Sequence, residues 1–158
     1  MILVVGASGF IGRRLVALMA ERGIAHVAVS RATMRDQAAM AGCEAAIMLA
    51  GRAHVRGDAA AFLRANRDLP VAVAEAFAHA GGRRFVFVSS IAVNGIATRS
   101  APFREGDEPA PVDDYGRSKL AGEQALQERC AELGLELVVV RPPRTPRRPP
   151  PAGRDWRA

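Results

Sequence analysis

Short apolar runs alternate along the chain with longer amphipathic segments. The runs have the length and the valine, isoleucine and phenylalanine content of buried strands, and they lie at 2–5, 25–30, 45–49, 84–89 and 136–141. Helical periodicity follows a glycine-rich stretch up to about residue 22 and returns at 33–41, 58–80 and 113–133. Strands that alternate with helices predict an α/β fold, a doubly wound parallel sheet with helices on both faces.

Proline and aspartate refine these segments. Pro70 lies inside the segment 58–80, where we expect it to kink or restart the helix. Asp113 or Asp114 is expected to cap the helix that follows. From Pro142 onward the chain holds six of its ten prolines and almost no apolar residues. We therefore expect one domain at 1–141 and an extended or disordered tail at 142–158, with a proline-rich recognition ligand as the alternative for the tail.

Charge and cysteine content exclude several classes of function. The net charge is +6, but residues 141–158 hold six arginines and one acid, so the body carries only +1. This argues against a nucleic-acid-binding face. No apolar run approaches the roughly 20 residues of a membrane span, and the start lacks a signal-peptide pattern. Cys43 and Cys130 show no disulfide or metal spacing, so we expect a cytoplasmic protein without a structural metal.

The only tyrosine and the only lysine of the chain, Tyr115 and Lys119, are four residues apart. On a helix this spacing puts both side chains on one face. A nearby ammonium favours the phenolate, which makes a tyrosine a usable proton acceptor near neutral pH. Two plainer interpretations stay open: the spacing is a coincidence on a solvated helix, or Lys119 simply pairs with Glu123.

The glycine-rich stretch joins the first strand to the first helix. Gly6, Gly9 and Gly12 have the spacing of a dinucleotide-binding turn, in which backbone approaches a pyrophosphate at a helix N-terminus. The position between a strand and an amphipathic helix is the context such a motif requires. It predicts a Rossmann-like fold, with a glycine-rich turn that binds nothing as the alternative.

The end of the second strand bears on which cofactor is bound. An acid there would hold the adenosine ribose hydroxyls, whereas this chain has Ser30 and Arg31. A hydroxyl and a guanidinium favour the 2′-phosphate of NADP over NAD. An exposed arginine at a strand end, without a ligand, is the alternative.

From Met1 to about Pro143 the chain resembles the extended short-chain dehydrogenase/reductase superfamily. Within it, the NAD-dependent epimerase/dehydratase family is most similar, in particular enzymes of the UDP-glucose 4-epimerase kind. The resemblance rests on motifs in a fixed order, which are Gly-Ala-Ser-Gly-Phe-Ile-Gly at 6–12, Leu-Ala-Gly-Arg-Ala-His-Val at 49–55, Asn66, Arg-Arg-Phe-Val-Phe-Val-Ser-Ser at 83–90, Asn94-Gly95, Asp-Tyr-Gly-Arg-Ser-Lys at 114–119 and Arg141-Pro142.

The resemblance implies roles for single residues. It makes Ser90 the holder of the substrate oxygen, with Ser89 as the alternative, and Tyr115 the general acid/base. Lys119 binds the nicotinamide ribose and tunes the tyrosine. Asn66 lies near the cofactor, or else caps the break at Pro70. The remaining cofactor contacts implied are Phe10 and Ile11 at the pyrophosphate and the turn Leu49, Ala50 and Gly51 beneath the cofactor.

The function implied is an NAD(P)-dependent nucleotide-sugar epimerase or dehydratase. The alternatives are an NADPH-dependent carbonyl reductase and a non-catalytic dinucleotide-binding module. The resemblance also implies a homodimer through helices 58–80 and 113–133.

Two departures from the family pattern change the expectations. Only 14 residues separate Ser30 from Ala45, too few for the usual third strand and its helix. We therefore expect strand 45–49 to lie beside the first strand, on the side opposite the second. After Arg141-Pro142 the composition changes abruptly, as after a shifted reading frame, with a naturally short or engineered form as alternatives. We expect the substrate domain to be missing, which leaves the activity of this chain open.

Overall fold

The structure is a computed structural model and describes residues 1–30, 33–34, 36–53, 58–95 and 102–143. The described strands form one five-stranded parallel sheet in the order β2-β1-β3-β4-β5. In chain order, β1 to β5 span Ile2–Val5, His26–Val29, Ala45–Met48, Arg84–Val88 and Glu136–Val140. The α/β fold with a parallel Rossmann-like sheet is thereby confirmed.

Five α-helices join the strands within the part of the chain that the structure describes. In chain order, α1 to α5 span Phe10–Glu21, Gln37–Met40, Ala59–Leu63, Leu69–His79 and Asp114–Leu133. A π-helical turn at Arg64–Asp68 connects α3 to α4, and a 3₁₀ turn at Ile91–Val93 follows β4. Within the described residues, no helix combines the length and the apolar character needed to cross a bilayer.

The position of β3 confirms the prediction that strand 45–49 lies beside the first strand, on the side opposite the second. β3 pairs with β1 from Ile2↔Ala45 to Val5↔Met48, and β2 pairs with the opposite side of β1. The chain thus runs outward from β1 to β2 and then returns past β1 to β3. In open α/β sheets such a reversal of strand order opens a crevice at the carboxyl ends of the strands, which is where ligands bind.

The main core lies between the sheet and helices α4 and α5. Leu3 and Val5 of β1, like Phe85 and Phe87 of β4, alternate along their strands and are fully buried. They join one apolar cluster with residues of the two helices, including Val73, Ala74, Phe77 and Leu126. Burying one such side chain contributes about 1.5–3 kcal/mol, so this face fixes the sheet under the helices.

The opposite face of the sheet is less covered. Helix α1 packs there against β1 and β2. At the far edge, β5 pairs with β4 alone among the described strands. Val138 and Val140 of β5 are 36% and 41% exposed. The sheet therefore presents an apolar edge next to the chain segment that follows β5.

Helix α2 is shorter than the predicted segment 33–41. The Thr33 hydroxyl oxygen accepts a hydrogen bond from the Ser30 N–H at 3.2 Å, which makes a turn. The helix begins only after Asp36, whose carboxylate caps it by accepting from the Ala38 N–H at 3.0 Å. The side chains of Thr33 and Asp36 thus offer the backbone alternatives to the first helical turn, as such residues commonly do.

The break predicted at Pro70 is observed as the π-helical turn just before it. Proline has no N–H to donate to the carbonyl of Asn66 four residues earlier, so the α-helical pattern cannot continue through this point. Two other expectations, the role of Arg31 and the disorder of the tail from residue 144 onward, lie outside the described residues.

Candidate cofactor site and active site

The turn after β1 depends on glycine at position 6. Gly6 has a φ of +92°, a conformation that L side chains rarely adopt. A Cβ on Gly6 would lie 2.6 Å from the Ala50 nitrogen, so the turn lies directly against the segment that follows β3. The Gly9 N–H donates to the Gly6 carbonyl at 3.0 Å and closes the turn.

Gly12 lets helix α1 lie close to this turn. A Cβ at Gly12 would collide with the Gly6 carbonyl oxygen and with the backbone of Ala7. Any larger residue at position 12 would push the first turn of α1 away from β1. The glycine is therefore required by the close approach of helix and turn, as the sequence motif predicts.

The N-terminus of α1 has the properties of an anion-binding site. Its N-cap residue, Gly9, provides no side-chain cap, and the first turn contains no acidic residue. The first backbone N–H groups of a helix lack partners within the helix and attract phosphate. Phe10 is 69% exposed and Ile11 42% exposed, so the backbone of this turn is approachable from solvent.

The segment after β3 passes beneath this turn. The Leu49 and Ala50 N–H groups both donate to the Val5 carbonyl, at 2.9 and 3.1 Å. Gly51 comes next, and a Cβ there would lie 2.8 Å from the Asn66 Oδ1 and 3.8 Å from the Lys119 Nζ. The predicted turn at Leu49, Ala50 and Gly51 therefore joins the glycine loop to the only lysine.

Asn66 is fully buried and holds this segment in place. Its Oδ1 accepts from the Arg52 N–H at 2.8 Å, and its Nδ2 donates to the Arg52 carbonyl at 3.0 Å. The same Nδ2 donates to the Ser118 hydroxyl at 2.9 Å. The alternative that Asn66 merely caps the break at Pro70 is therefore wrong, because its side chain links the β3 segment to α5.

Lys119 lies in the interior, with 4% of its surface exposed. Its ammonium donates to the Val88 carbonyl at the end of β4, at 2.8 Å, and lies 4.2 Å from the centre of the Phe87 ring. Burial disfavours the charged form, and the carboxylate of Glu123 opposes this effect only partly. The pKa of Lys119 is therefore lowered from 10.5 to about 8.

Glu123 is not the ion-pair partner of Lys119, so that plainer interpretation of the lysine is wrong. The Glu123 carboxylate accepts instead from the Arg141 guanidinium, with Nη2 at 2.6 Å, and from the Ser89 hydroxyl. Lys119 is thus a buried cation whose one described acceptor is a backbone carbonyl. An ammonium has three N–H donors, so two remain for the hydroxyl groups of a ligand.

Tyr115 lies in the first turn of α5, partly buried. Asp113 caps this helix by accepting from the Gly116 N–H at 2.7 Å, which decides between the two predicted caps. The Tyr115 ring meets the Phe62 ring edge-on, with 6.4 Å between the ring centres. Tyr115 and Lys119 therefore share one face of a capped helix, next to the end of β4.

Ser89 and Ser90 differ in what holds their hydroxyl groups. The Ser89 hydroxyl donates to the Glu123 carboxylate inside the protein. The Ser90 oxygen accepts from the Ala92 N–H at 3.2 Å and caps the 3₁₀ turn. The Ser90 hydroxyl hydrogen is not used by that cap. This difference favours Ser90 over Ser89 as the group that meets a substrate oxygen.

A buried network that the sequence motifs do not predict lies behind these residues. Arg141 contacts Glu123 through Nε and Nη2 and donates to the Asn94 Oδ1 through Nη1 at 3.1 Å. Only 7% of the Glu123 side chain and 22% of the Arg141 side chain are exposed. The signal for Glu123 was available, since it follows Tyr115 and Lys119 at helical spacing on the same face.

The described residues thus form one continuous site at the carboxyl ends of β1, β3 and β4. The glycine loop packs against Ala50, and the neighbouring Gly51 packs against Asn66 and Lys119. Lys119 donates to the Val88 carbonyl at the end of the strand that leads to Ser90. A dinucleotide fits this arrangement, because the uncapped helix N-terminus suits phosphates and the buried ammonium suits ribose hydroxyls.

Comparisons with known proteins show the family to which the chain belongs. The model of the NAD dependent epimerase/dehydratase family matches residues 2–145. The UDP-glucose 4-epimerase of Vibrio cholerae is 31% identical over 165 residues, which cover 89% of this chain and 50% of that protein.

Solved structures give the same result. MoeE5 in complex with UDP-glucuronic acid and NAD superimposes with a TM-score of 0.76 at 30% identity, over 87% of this chain and 52% of MoeE5. RMD from Pseudomonas aeruginosa, complexed with NADPH, superimposes with a TM-score of 0.75 at 27% identity, over 90% of this chain and 54% of RMD. The chain therefore spans about half the length of these relatives.

Proposed function

Since the chain belongs to the NAD-dependent epimerase/dehydratase family, we propose that it binds a nicotinamide dinucleotide and carries the hydride- and proton-transfer site of a nucleotide-sugar epimerase or dehydratase. The observation that carries this proposal is the buried ammonium of Lys119. Its Nζ would lie 3.8 Å from a Cβ placed on Gly51, and it is on the same helical face as Tyr115. A structural lysine would be expected at the surface, because burying its charge is costly.

Each residue of the site has a distinct role in this proposal. The Ser90 hydroxyl donates a hydrogen bond to the substrate oxygen and orients it. The Tyr115 phenol gives a proton to that oxygen when the carbon bearing it gains a hydride, and takes a proton from it when that carbon loses a hydride. Lys119 binds ribose hydroxyls through the N–H donors that the Val88 carbonyl leaves unused. The cofactor, when bound, accepts or returns a hydride.

We assign NADP as the preferred cofactor. The support is the sequence at the end of β2, where Ser30 and Arg31 stand in place of an acid. The relatives are compatible with either cofactor, since MoeE5 is complexed with NAD and RMD with NADPH. Fluorescence titration with NADPH and NADH tests the preference. Arg31→Asp should weaken NADPH and strengthen NADH, and an unchanged ratio of the two affinities would refute it.

The same titration separates the enzyme from the alternatives. If neither dinucleotide binds, the whole proposal fails. Binding without any conversion of UDP-sugars would leave the non-catalytic binding module as the better description. A homodimer through 58–80 and 113–133 stays a prediction; sedimentation equilibrium of the purified chain tests whether it dimerises, and not which surface it uses.

Tyr115→Phe tests the proton transfer where conversion is measurable. The variant keeps the ring and its contact with Phe62 but has no ionisable group. We expect turnover to fall by about 10²–10⁴-fold, the usual contribution of a general acid or base. Cofactor affinity measured on the same sample is the internal control and should stay within about twofold. A variant with normal turnover would remove Tyr115 from its role.

A further inference from the structure

Ser90 and Arg141 lie just beyond the paired ends of β4 and β5, where Val88 pairs with Val140. The Ser89 N–H donates to the Val140 carbonyl at 2.7 Å, and the Ile91 N–H donates to the Pro142 carbonyl at 3.1 Å. These two bonds flank Ser90 on one side and Arg141 on the other. The backbone of β5 and its continuation therefore set the position of the serine.

Side chains hold the same segment from both ends. Before Ser90, the Ser89 hydroxyl donates to the Glu123 carboxylate. After Ser90, the Asn94 Oδ1 accepts from the Arg141 guanidinium at 3.1 Å. Glu123 and Arg141 are themselves joined through two guanidinium nitrogens, Nε at 3.0 Å and Nη2 at 2.6 Å. One buried ion pair thus grips the segment on both sides of the serine.

The ion pair also connects that segment to the helix of Tyr115 and Lys119. Glu123 lies one turn after Lys119 on α5. Lys119 in turn donates to the Val88 carbonyl, two residues before Ser90. Lys119 and Glu123 of α5 therefore both hydrogen-bond to the two residues that directly precede Ser90, Val88 and Ser89.

The other end of the same two strands offers a contrast. Arg84 and Glu136 face each other in the β4–β5 register and form an ion pair at 2.8 Å. Their side chains are 56% and 58% exposed, whereas Glu123 is 7% exposed. A buried ion pair gains little stability over an apolar pair, because both charges must be desolvated. A role in fixing geometry accounts for the buried pair better than a role in stability.

We propose that Glu123 and Arg141 are positioning residues that hold Ser90 in register with Tyr115 and Lys119. The proposal rests on the function proposed above in taking Ser90 as the residue that meets the substrate. Neither Glu123 nor Arg141 is assigned a contact with substrate. They act through the backbone and side chains on either side of Ser90.

Amide hydrogen exchange on the full chain tests the geometry without any cofactor. In Glu123→Gln, the guanidinium loses its charged partner while the size of the side chain is kept. We expect the Ser89 and Ile91 amides to exchange about tenfold faster, the equivalent of one weakened hydrogen bond, relative to amides of β1 and β3. Arg141→Lys keeps the charge but loses the planar fork, and should give the same local effect.

Glu136→Gln is the matched control, since it breaks an Arg–Glu pair across the same strands at the opposite end. It should leave the exchange of the Ser89 and Ile91 amides unchanged. Equal acceleration throughout the sheet in Glu123→Gln, or no acceleration at Ser89 and Ile91, would overturn the proposal.

A double-mutant cycle separates positioning from a purely structural role. Glu123→Gln should lower the turnover of a UDP-sugar about tenfold with cofactor affinity kept, and should lower it no further when Ser90→Ala is already present. Full additivity of the two substitutions would contradict action through Ser90. Failure of the wild-type chain to bind NADH or NADPH would refute the proposed function instead, and the exchange result would still decide whether the pair holds the segment.

Discussion

Replacing Lys119 with methionine should make the protein more stable at neutral pH. The folded protein lowers the pKa of this lysine from 10.5 to about 8, chiefly because the ammonium is buried. A shift of about 2.5 units corresponds to a cost of about 3 kcal/mol for keeping the charged form inside. Methionine has a similar length and no charge to desolvate. It cannot donate to the Val88 carbonyl, and that loss costs about 1 kcal/mol.

The pH dependence gives the sharper test. Below about pH 8 the lysine is charged in both the folded and the unfolded state, so the full penalty applies. Between about 8 and 10.5 the unfolded chain binds more protons than the folded one, and the stability of the wild type therefore rises with pH. The advantage of Lys119→Met should be about 2 kcal/mol at pH 7 and should shrink by about 3 kcal/mol by pH 10.5.

Urea unfolding followed by far-UV circular dichroism at pH 7, 8.5 and 10 measures the difference. Burial raises the pKa of the Cys130 thiol to about 11, which lowers stability above pH 9, but this effect is common to both proteins and cancels. Arg84→Met is the control, because it removes an exposed cation that stays charged throughout this range. A difference for Lys119→Met that does not vary with pH would refute the reasoning. Because the chain has a single lysine, the ¹³Cε resonance of labelled lysine reports its titration directly.

Two further substitutions test how α5 is held against the rest of the site. Gly122→Ala places a Cβ against the Asn66 carbonyl oxygen. Although alanine is the better helix former, the variant should be less stable by about 1–3 kcal/mol in thermal unfolding. A stabilised variant would contradict the close approach of α5 to Asn66. Asn66→Ala removes two hydrogen bonds to Arg52 and one to Ser118, and it should lower the free energy of unfolding in urea by about 3 kcal/mol. A loss below about 1 kcal/mol would show that these three hydrogen bonds are dispensable.

The parts of the fold that depend on local sequence were predictable. The strands follow from apolar runs. The glycine loop follows from the spacing of Gly6, Gly9 and Gly12 between a strand and a helix, which is typical of a dinucleotide-binding turn. The position of β3 beside β1 followed from the family resemblance and the short interval together, because 14 residues between Ser30 and Ala45 leave no room for the family's additional strand and helix. The length of α2 was wrong, since the side chains of Thr33 and Asp36 form a turn and a cap where periodicity alone extends the helix.

The site was predictable only in part, because several of its contacts join distant parts of the chain. Asn66 and Ser118 are 52 residues apart, and Glu123 and Arg141 are 18 apart. Which of two adjacent serines meets a carboxylate depends on which side of β4 faces α5, and this requires the packed structure. The role of Asn66 as a clamp likewise depends on the distant segment at Arg52 that it binds.

The apolar edge formed by β5 has a consequence for handling the protein. Three consecutive valines, Val138 to Val140, are each more than one third exposed, and within the strand only Glu136 carries a charge. Exposed edge strands with few charges can pair with one another between molecules. We expect the purified chain to associate reversibly at high concentration, and more strongly in ammonium sulfate, because sulfate strengthens apolar burial. Light scattering over a dilution series would show this, and dilute, low-sulfate buffers would be the conditions for studying the single molecule.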